Sequence, residues 1–209
     1  MVASNPPSTA DTFRYHAPHQ IPEHGMFQQL LAASRDPRET FDSLLVRFHA
    51  MKGLSHCYEF RYRLPGDTSA ERVFKALQVK AQQAHRFVPV IEQSQFVAPC
   101  HLGFTRTIQI RAGGPAVTER ILFGSDRHTV LFIEETVYQL GEGELPVGYA
   151  SINKLIQDDS AWSLIGTYLY AEQNSVEAMR TMFAKTFDNM LGFAQTEQLD
   201  AVYAQLAAF

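Results

Sequence analysis

The chain has 209 residues, 45% of them hydrophobic and 19% charged, which is enough for one sizeable core. Its formal net charge of −4 argues against non-specific nucleic-acid binding, which needs a basic surface. No apolar run approaches the roughly 20 residues that span a bilayer, and the first residues lack the apolar segment of a secretory signal. The cysteines, Cys57 and Cys100, form no CxxC motif. We therefore expect a cytoplasmic protein that has no membrane span and binds no nucleic acid.

Residues 1–25 are rich in proline and histidine and show no apolar periodicity, which predicts a flexible or draped arm. A metal site built from His16, His19 and His24 is conceivable. Their spacing matches no established ligand pattern, however, so we expect ordinary arm histidines and no metal.

Residues 26–55 predict a helical N-terminal extension. The second of its two helices carries an apolar stripe at helical spacing, formed by Phe41, Leu44, Leu45, Phe48 and Met51. Asp36 before Pro37 is the predicted start of that helix.

From residue 56 the pattern changes, and residues 56–209 predict one further domain. A strand at 56–64 and a helix at 70–87 precede strand-like runs at 93–98, 104–111, 116–123, 129–138, 147–156 and 162–170. A long amphipathic helix at about 174–194 follows, and residues 196–208 either extend it or form a second helix. Since no helix fits between the later strands, the sheet must be antiparallel. The fold prediction is α+β: a curved antiparallel sheet wrapped around the C-terminal helix, a helix-grip arrangement that encloses a hydrophobic cavity.

Alternation within "FTRTIQI" (104–110) and "VTERILF" (117–123) predicts which side chains face that cavity. A two-residue hairpin at Gly113–Gly114 would place Arg106 and Glu119 diagonally across the strand pair on the inner, otherwise apolar face. Arg120 then belongs to an outer, solvent-facing surface. The inner pair is either a structural ion pair or part of a pocket in which Glu119 transfers a proton.

The same alternation places Tyr149, Asn153 and Tyr168 on the inner face. In the run "FIEET" one of Glu134 and Glu135 must also face inward. The neighbouring loop does not fix the register, so the sequence does not decide between these two glutamates.

Several segments together resemble the AtaL-like family of the START and birch-allergen-like (SRPBCC) superfamily. They are "AERVFKALQVKAQQAHRFVPVI", "FTRTIQI", "VTERILF", "VLFIEE", "SINKLI", "WSLIGTYLY" and "AKTFDNML". The resemblance extends over about residues 56–195. The resemblance implies a helix-grip fold with a deep hydrophobic cavity for lipids, polyketides, hormones or other apolar molecules, and a place in secondary metabolism. The segment before residue 56 lies outside it, and we interpret that segment as a lid or an oligomer contact, for instance in a homodimer.

These observations lead to one function prediction and two alternatives. We expect a protein that holds a hydrophobic, polyketide-like small molecule and promotes its cyclisation, dehydration or rearrangement without a cofactor. The alternatives are a non-catalytic carrier of such a ligand and a structural or regulatory partner protein. Glu119 would move a proton, while Arg106 or Tyr168 would hold a carbonyl or enolate oxygen. The predicted ligand-binding residues are Tyr149, Asn153, Trp162, Phe104, Ile108, Phe123, Met179, Phe183 and Phe187.

Overall fold

A computed structural model describes residues 10–20, 24–66, 68–135, 137–140, 143–146, 148–158 and 161–206. Its helices are α1 (His24–Arg35), α2 (Phe41–Ala50), α3 (Ala70–Gln82), α4 (Val176–Ala194) and α5 (Gln198–Tyr203). Its strands are β1 (Ala10–His16), β2 (His56–Arg63), β3 (Ile91–Cys100), β4 (Gly103–Ile110), β5 (Ala116–Phe123), β6 (Thr129–Glu134), β7 (Val137–Leu140), β8 (Gly143–Pro146), β9 (Tyr149–Asp158) and β10 (Ala161–Tyr170).

One eight-stranded antiparallel sheet organises the molecule, in the order β1-β2-β10-β9-β6-β5-β4-β3, and β7 pairs separately with β8. The inner face of the sheet forms the main core together with α3, α4 and α5. Helix α4 buries Met179, Phe183, Phe187 and Met190, which recur every three or four residues and therefore share one face. The predicted α+β helix-grip architecture is thus confirmed.

The outer face of the sheet is covered by α1 and α2, which corrects the prediction of a solvated surface. Phe27, Leu44 and Phe48 of these helices pack against apolar side chains that point outward from the sheet, namely Leu122, Leu131, Ile133, Ile152 and Leu169. The predicted outer residue Arg120 is accordingly only 11% exposed at its side chain and forms an ion pair of 2.8 Å with Glu135. The helical extension is therefore a second layer of the fold.

Side-chain capping sets where α2 begins, and the capping residue differs from the predicted one. Thr40, not Asp36, is the N-cap: its hydroxyl accepts a hydrogen bond from the Ser43 backbone, and the Ser43 hydroxyl accepts one from the Thr40 backbone. This reciprocal capping satisfies two backbone N–H groups at the helix start.

Other differences concern the ends of elements. Residues 10–16, within the predicted arm, form edge strand β1, whose Phe13 and Tyr15 pack on the main core. The arm's residues 1–9 and 21–23 lie outside the described residues, and the domain boundaries stay a prediction. Helix α3 ends at Gln82, before a short 3-10 turn, and the run predicted at 129–138 divides into β6 and β7.

The β4–β5 hairpin has a two-residue loop, but one position earlier than predicted. Ala112 and Gly113 are its central residues, with φ of 58° and 76°, as a type I′ turn requires. Gly114 N donates to Arg111 O, which closes the turn. Arg106 consequently lies directly opposite Glu119 rather than diagonal to it. Because the pairing shifts by two residues, every side chain keeps its predicted face.

Candidate functional site

A cavity of about 240 Å³ lies between the inner face of the sheet and helices α3 and α4. Its apolar lining comes mainly from the segment that enters β3 and from the β4–β5 hairpin: Val88, Val90, Ile91, Ile108, Ile110 and Val117. Phe132 of β6 and Met182 and Phe183 of α4 complete that lining. Thr186 and several charged and phenolic side chains supply the remainder.

Arg106 and Glu119 form a buried ion pair in the cavity wall, and each residue is 3% exposed. Arg106 Nε and Nη2 lie 2.8 and 2.7 Å from Glu119 Oε2. Arg106 Nη1 also donates to the carbonyl oxygens of Lys80 and Ala81, at 2.8 and 2.5 Å. Those carbonyls belong to the last turn of α3, where backbone acceptors lack helical partners. The Arg106 guanidinium thus donates hydrogen bonds to the Glu119 carboxylate and to two carbonyl groups at the end of α3. These groups do not need a ligand as their partner.

Lys80 is a cavity residue that the sequence analysis did not single out. Its Nζ donates to Asn153 Oδ1 at 3.3 Å and lies 4.6 Å from the centre of the Phe132 ring. The pKa of Lys80 is lowered to about 7, mainly by burial and in addition by the charge of Arg106, while Glu119 acts in the opposite direction. A signal was available in the sequence, because Lys80 continues the buried stripe of Val73 and Leu77 along α3.

Glu134 is the glutamate of β6 that faces the cavity, which answers the question that the sequence left open. It lies directly opposite Glu119 in the β5–β6 pair and is 7% exposed. Glu135 points to the outer face, where it pairs with Arg120 and Arg35. The wall thus brings two carboxylates and two basic side chains together.

Three tyrosines, Tyr149, Tyr168 and Tyr170, also line the cavity. Burial raises the pKa of each phenol well above its usual value. The ring of Tyr168 stacks on Phe183, with centres 3.8 Å apart, and the Tyr149 hydroxyl shares a hydrogen bond of 2.7 Å with Ser151. Neutral phenols in an apolar wall are suitable hydrogen-bond donors for a ligand oxygen.

Of the predicted site residues, six lie in the cavity wall: Arg106, Glu119, Tyr168, Tyr149, Ile108 and Phe183. Asn153 is buried behind the wall and contacts Lys80. Phe104, Met179 and Phe187 belong to the packed core; Phe187, for example, stacks on Phe60 with ring centres 5.5 Å apart. Trp162 packs against His128, and Phe123 lines a separate groove beside α3. Phe104, Met179 and Phe187 were predicted to line the cavity, but they pack into the core and fill part of the concave space.

The described residues give no sign of a metal site. Among them, no group of three or more His, Cys, Asp or Glu side chains is placed to hold a metal ion. His16 lies 3.6 Å from Glu59 instead. Within the same part of the chain, no helix has the length and apolar character needed to cross a membrane.

Comparison with known proteins gives one family match. A family model described as "Acetylaranotin biosynthesis cluster protein L" (AtaL) matches residues 67–199, which include β3–β10 and α4. No curated protein matches the chain.

Similar solved structures share little sequence with this chain. Ara h 8.0201 is 14% identical over 66% of this chain and 97% of its own, with a TM-score of 0.49. Major latex-like protein 151 from Panax ginseng is 8% identical over 67% and 99%, with a TM-score of 0.47. The di-domain ARO/CYC protein BexL of the BE-7585A biosynthetic pathway is 14% identical over 80% of this chain and 56% of its own, with a TM-score of 0.45.

Proposed function

The chain belongs to the AtaL family, and we propose that it acts in the biosynthesis of a small molecule. It binds a small, mainly apolar compound with carbonyl or enol oxygens, such as a polyketide-like intermediate, and promotes its cyclisation, dehydration or rearrangement without a redox cofactor. The family description, which refers to a biosynthesis cluster, supports the setting.

The observation that carries this proposal is a cavity with a mainly apolar lining and a set of buried polar groups. Ligand sites in proteins have this composition. At about 240 Å³, the cavity lies just below the roughly 300–1,000 Å³ typical of sites for drug-sized molecules. It therefore suits a ligand of about one or two rings.

The polar groups divide into two roles. Tyr168 and Tyr170 donate hydrogen bonds to the ligand oxygen, because their phenols stay protonated at neutral pH. Glu119 and Glu134, opposite each other across β5 and β6, provide the carboxylates for proton transfer at the neighbouring carbon. Arg106 occupies Oε2 of Glu119 with two hydrogen bonds, and Glu134 supplies a second carboxylate in the same wall.

Proton transfer next to a carbonyl can be tested without the natural substrate. The ketone 2-tetralone is a small apolar probe whose exchange of α-hydrogen for deuterium in heavy water is followed by mass spectrometry. We expect the wild-type protein to accelerate exchange, and Glu134→Gln and Glu119→Gln to slow it at least tenfold while the ketone still binds. Glu135→Gln, on the outer face, is the matched control and keeps the wild-type rate. Binding of the ketone without any acceleration would contradict an enzymatic role.

One observation favours the alternative of a non-catalytic carrier. The Arg106–Glu119 pair satisfies itself and the end of α3, so it has a complete structural role without a ligand. A carrier would bind 2-tetralone, would not accelerate exchange, and would be insensitive to both Gln substitutions. Mass spectrometry of small molecules that co-purify with the protein identifies the natural ligand in either case.

A further inference from the structure

Lys80 combines burial, access to the cavity and a second nearby cation. Its side chain comes from the last turns of α3 and is 5% exposed, and it contributes to the cavity wall. We propose that Lys80 Nζ is a nucleophile that forms a reversible imine with an aldehyde or ketone held in the cavity. This inference rests on the proposed function in one respect, namely that a small carbonyl compound enters the cavity.

The surroundings of Lys80 favour a neutral amine. Glu119, whose charge acts against the lowering of the Lys80 pKa, is engaged by Arg106. Arg106 and Lys80 lie over the same ring, that of Phe132, at 5.4 and 4.6 Å from its centre. A desolvated lysine beside another cation is the arrangement that activates amines for attack on carbonyls. The charged and titratable groups that share the wall with Lys80 are Arg106, Glu119, Glu134, Tyr149, Tyr168 and Tyr170.

The fraction of reactive amine follows from these contacts. With its pKa lowered to about 7, Lys80 is about half neutral at pH 7. An ordinary lysine, with a pKa near 10.4, is neutral in fewer than roughly one in a thousand molecules at that pH. Asn153 Oδ1 accepts a hydrogen bond from Nζ and so helps to hold the amine in place.

The chemical step is a simple condensation. The lone pair of Nζ attacks the carbonyl carbon, and the carbonyl π bond opens to give a carbinolamine. The nitrogen gives up two protons in all, and the carbonyl oxygen leaves as water after gaining two. The result is a C=N bond and one water molecule, so the step needs no oxidant or reductant. Glu119, Glu134 and the wall tyrosines are the groups in place to relay these protons.

The imine can be trapped in the intact protein with a small probe. The protein is incubated at pH 7 with 2-naphthaldehyde and sodium cyanoborohydride, and the reduced adduct is located by peptide mass spectrometry. We expect Lys80 to be the dominant modified residue, with labelling that reaches half of its maximum near pH 7. Exposed Lys185 should carry only a minor share of the adduct. Lys80→Met should remove at least nine-tenths of the adduct, and Lys185→Met should leave it unchanged.

A second probe separates this inference from the proposed function. The phenol 2-naphthol has nearly the same shape as the aldehyde and cannot form an imine, so its binding reports the cavity alone. If 2-naphthol binds while the aldehyde labels surface lysines without preference, the role of Lys80 is wrong and the ligand-binding proposal stands. If neither probe binds, both proposals fail. The peptide map of the wild-type protein shows whether Lys80 carries the adduct even if Lys80→Met does not fold.

Discussion

Arg106 connects three parts of the cavity wall at the scale of one residue: strand β4, the Glu119 carboxylate of β5 and the end of α3. Buried guanidinium groups are tolerated only when their hydrogen-bonding capacity is used. Replacing this side chain removes the partner of a buried carboxylate and of two backbone carbonyls, and burying such groups without partners is expensive.

We therefore expect Arg106→Met to lower the free energy of unfolding by about 3–5 kcal/mol, as is typical when one partner of a buried ion pair is removed. Urea unfolding followed by circular dichroism measures this change. Arg38→Met, which removes an exposed pair with Asp36, is the control and should leave the midpoint unchanged. A loss of less than about 1 kcal/mol would show that the pair contributes little.

Lys80 makes stability depend on pH in a defined direction. Its pKa falls from 10.5 to about 7 on folding. Between these values the unfolded chain holds a proton that the folded protein lacks, so stability rises with pH through this window. Below pH 7 both states are protonated, and the cost of burying the charge is fully present.

The expected result is that Lys80→Met is more stable than the wild type at pH 7. This advantage should shrink as the pH rises from 7 to 9, at a rate that approaches about 1.4 kcal/mol per pH unit once Lys80 is neutral in the folded protein. Urea unfolding of both proteins across this range gives the difference, in which the contributions of other groups cancel. If the free energies of unfolding of the two proteins change equally with pH, Lys80 does not titrate in this range.

Sequence patterns predicted the positions of Arg106 and Glu119 but not that of Lys80. A strand has a period of two, so one apolar neighbour on each side is enough to assign a face. A lysine on a helical stripe usually extends its charge to solvent. Whether it does so depends on what covers the helix, which here is the sheet at Phe132 and Asn153.

At the scale of elements, the N-terminal helices stabilise the sheet from outside. Phe48 of α2 is fully buried against the outer face, whereas Val46, two residues earlier, is 70% exposed. Local sequence predicted the apolar stripe of α2, but the surface that receives it comes from strands far along the chain. The outward Leu122, Leu131 and Leu169 were the available signal that this face is covered.

Phe48→Ala should therefore lower the free energy of unfolding by about 3–5 kcal/mol, because it opens a cavity in the second core. Val46→Ala should change it by less than about 0.5 kcal/mol. The pair is compared by urea unfolding of the full chain. Equal, small effects would mean that α1 and α2 are a loosely attached appendage.

At the scale of the whole molecule, the sheet separates two cores, and the cavity lies on the inner side only. The sequence predicted the succession of strands along the chain, their antiparallel pairing and the gripping helix through alternation and helical periodicity. It did not predict the extent of the cavity, because that depends on how far side chains such as Phe187 and Phe104 fill the concave space. Six of the predicted site residues line what is left.

This residual space is expected to bind a small apolar ligand, and a titration with 2-naphthol followed by fluorescence tests this binding. Met182 is half-buried at the cavity wall, so Met182→Trp should fill the space. Val97→Trp introduces the same indole side chain at a position that is 54% exposed. We predict saturable binding to the wild type and to Val97→Trp, and affinity at least tenfold weaker for Met182→Trp. Equal affinity for all three proteins, or no saturable binding to the wild type, would contradict the account.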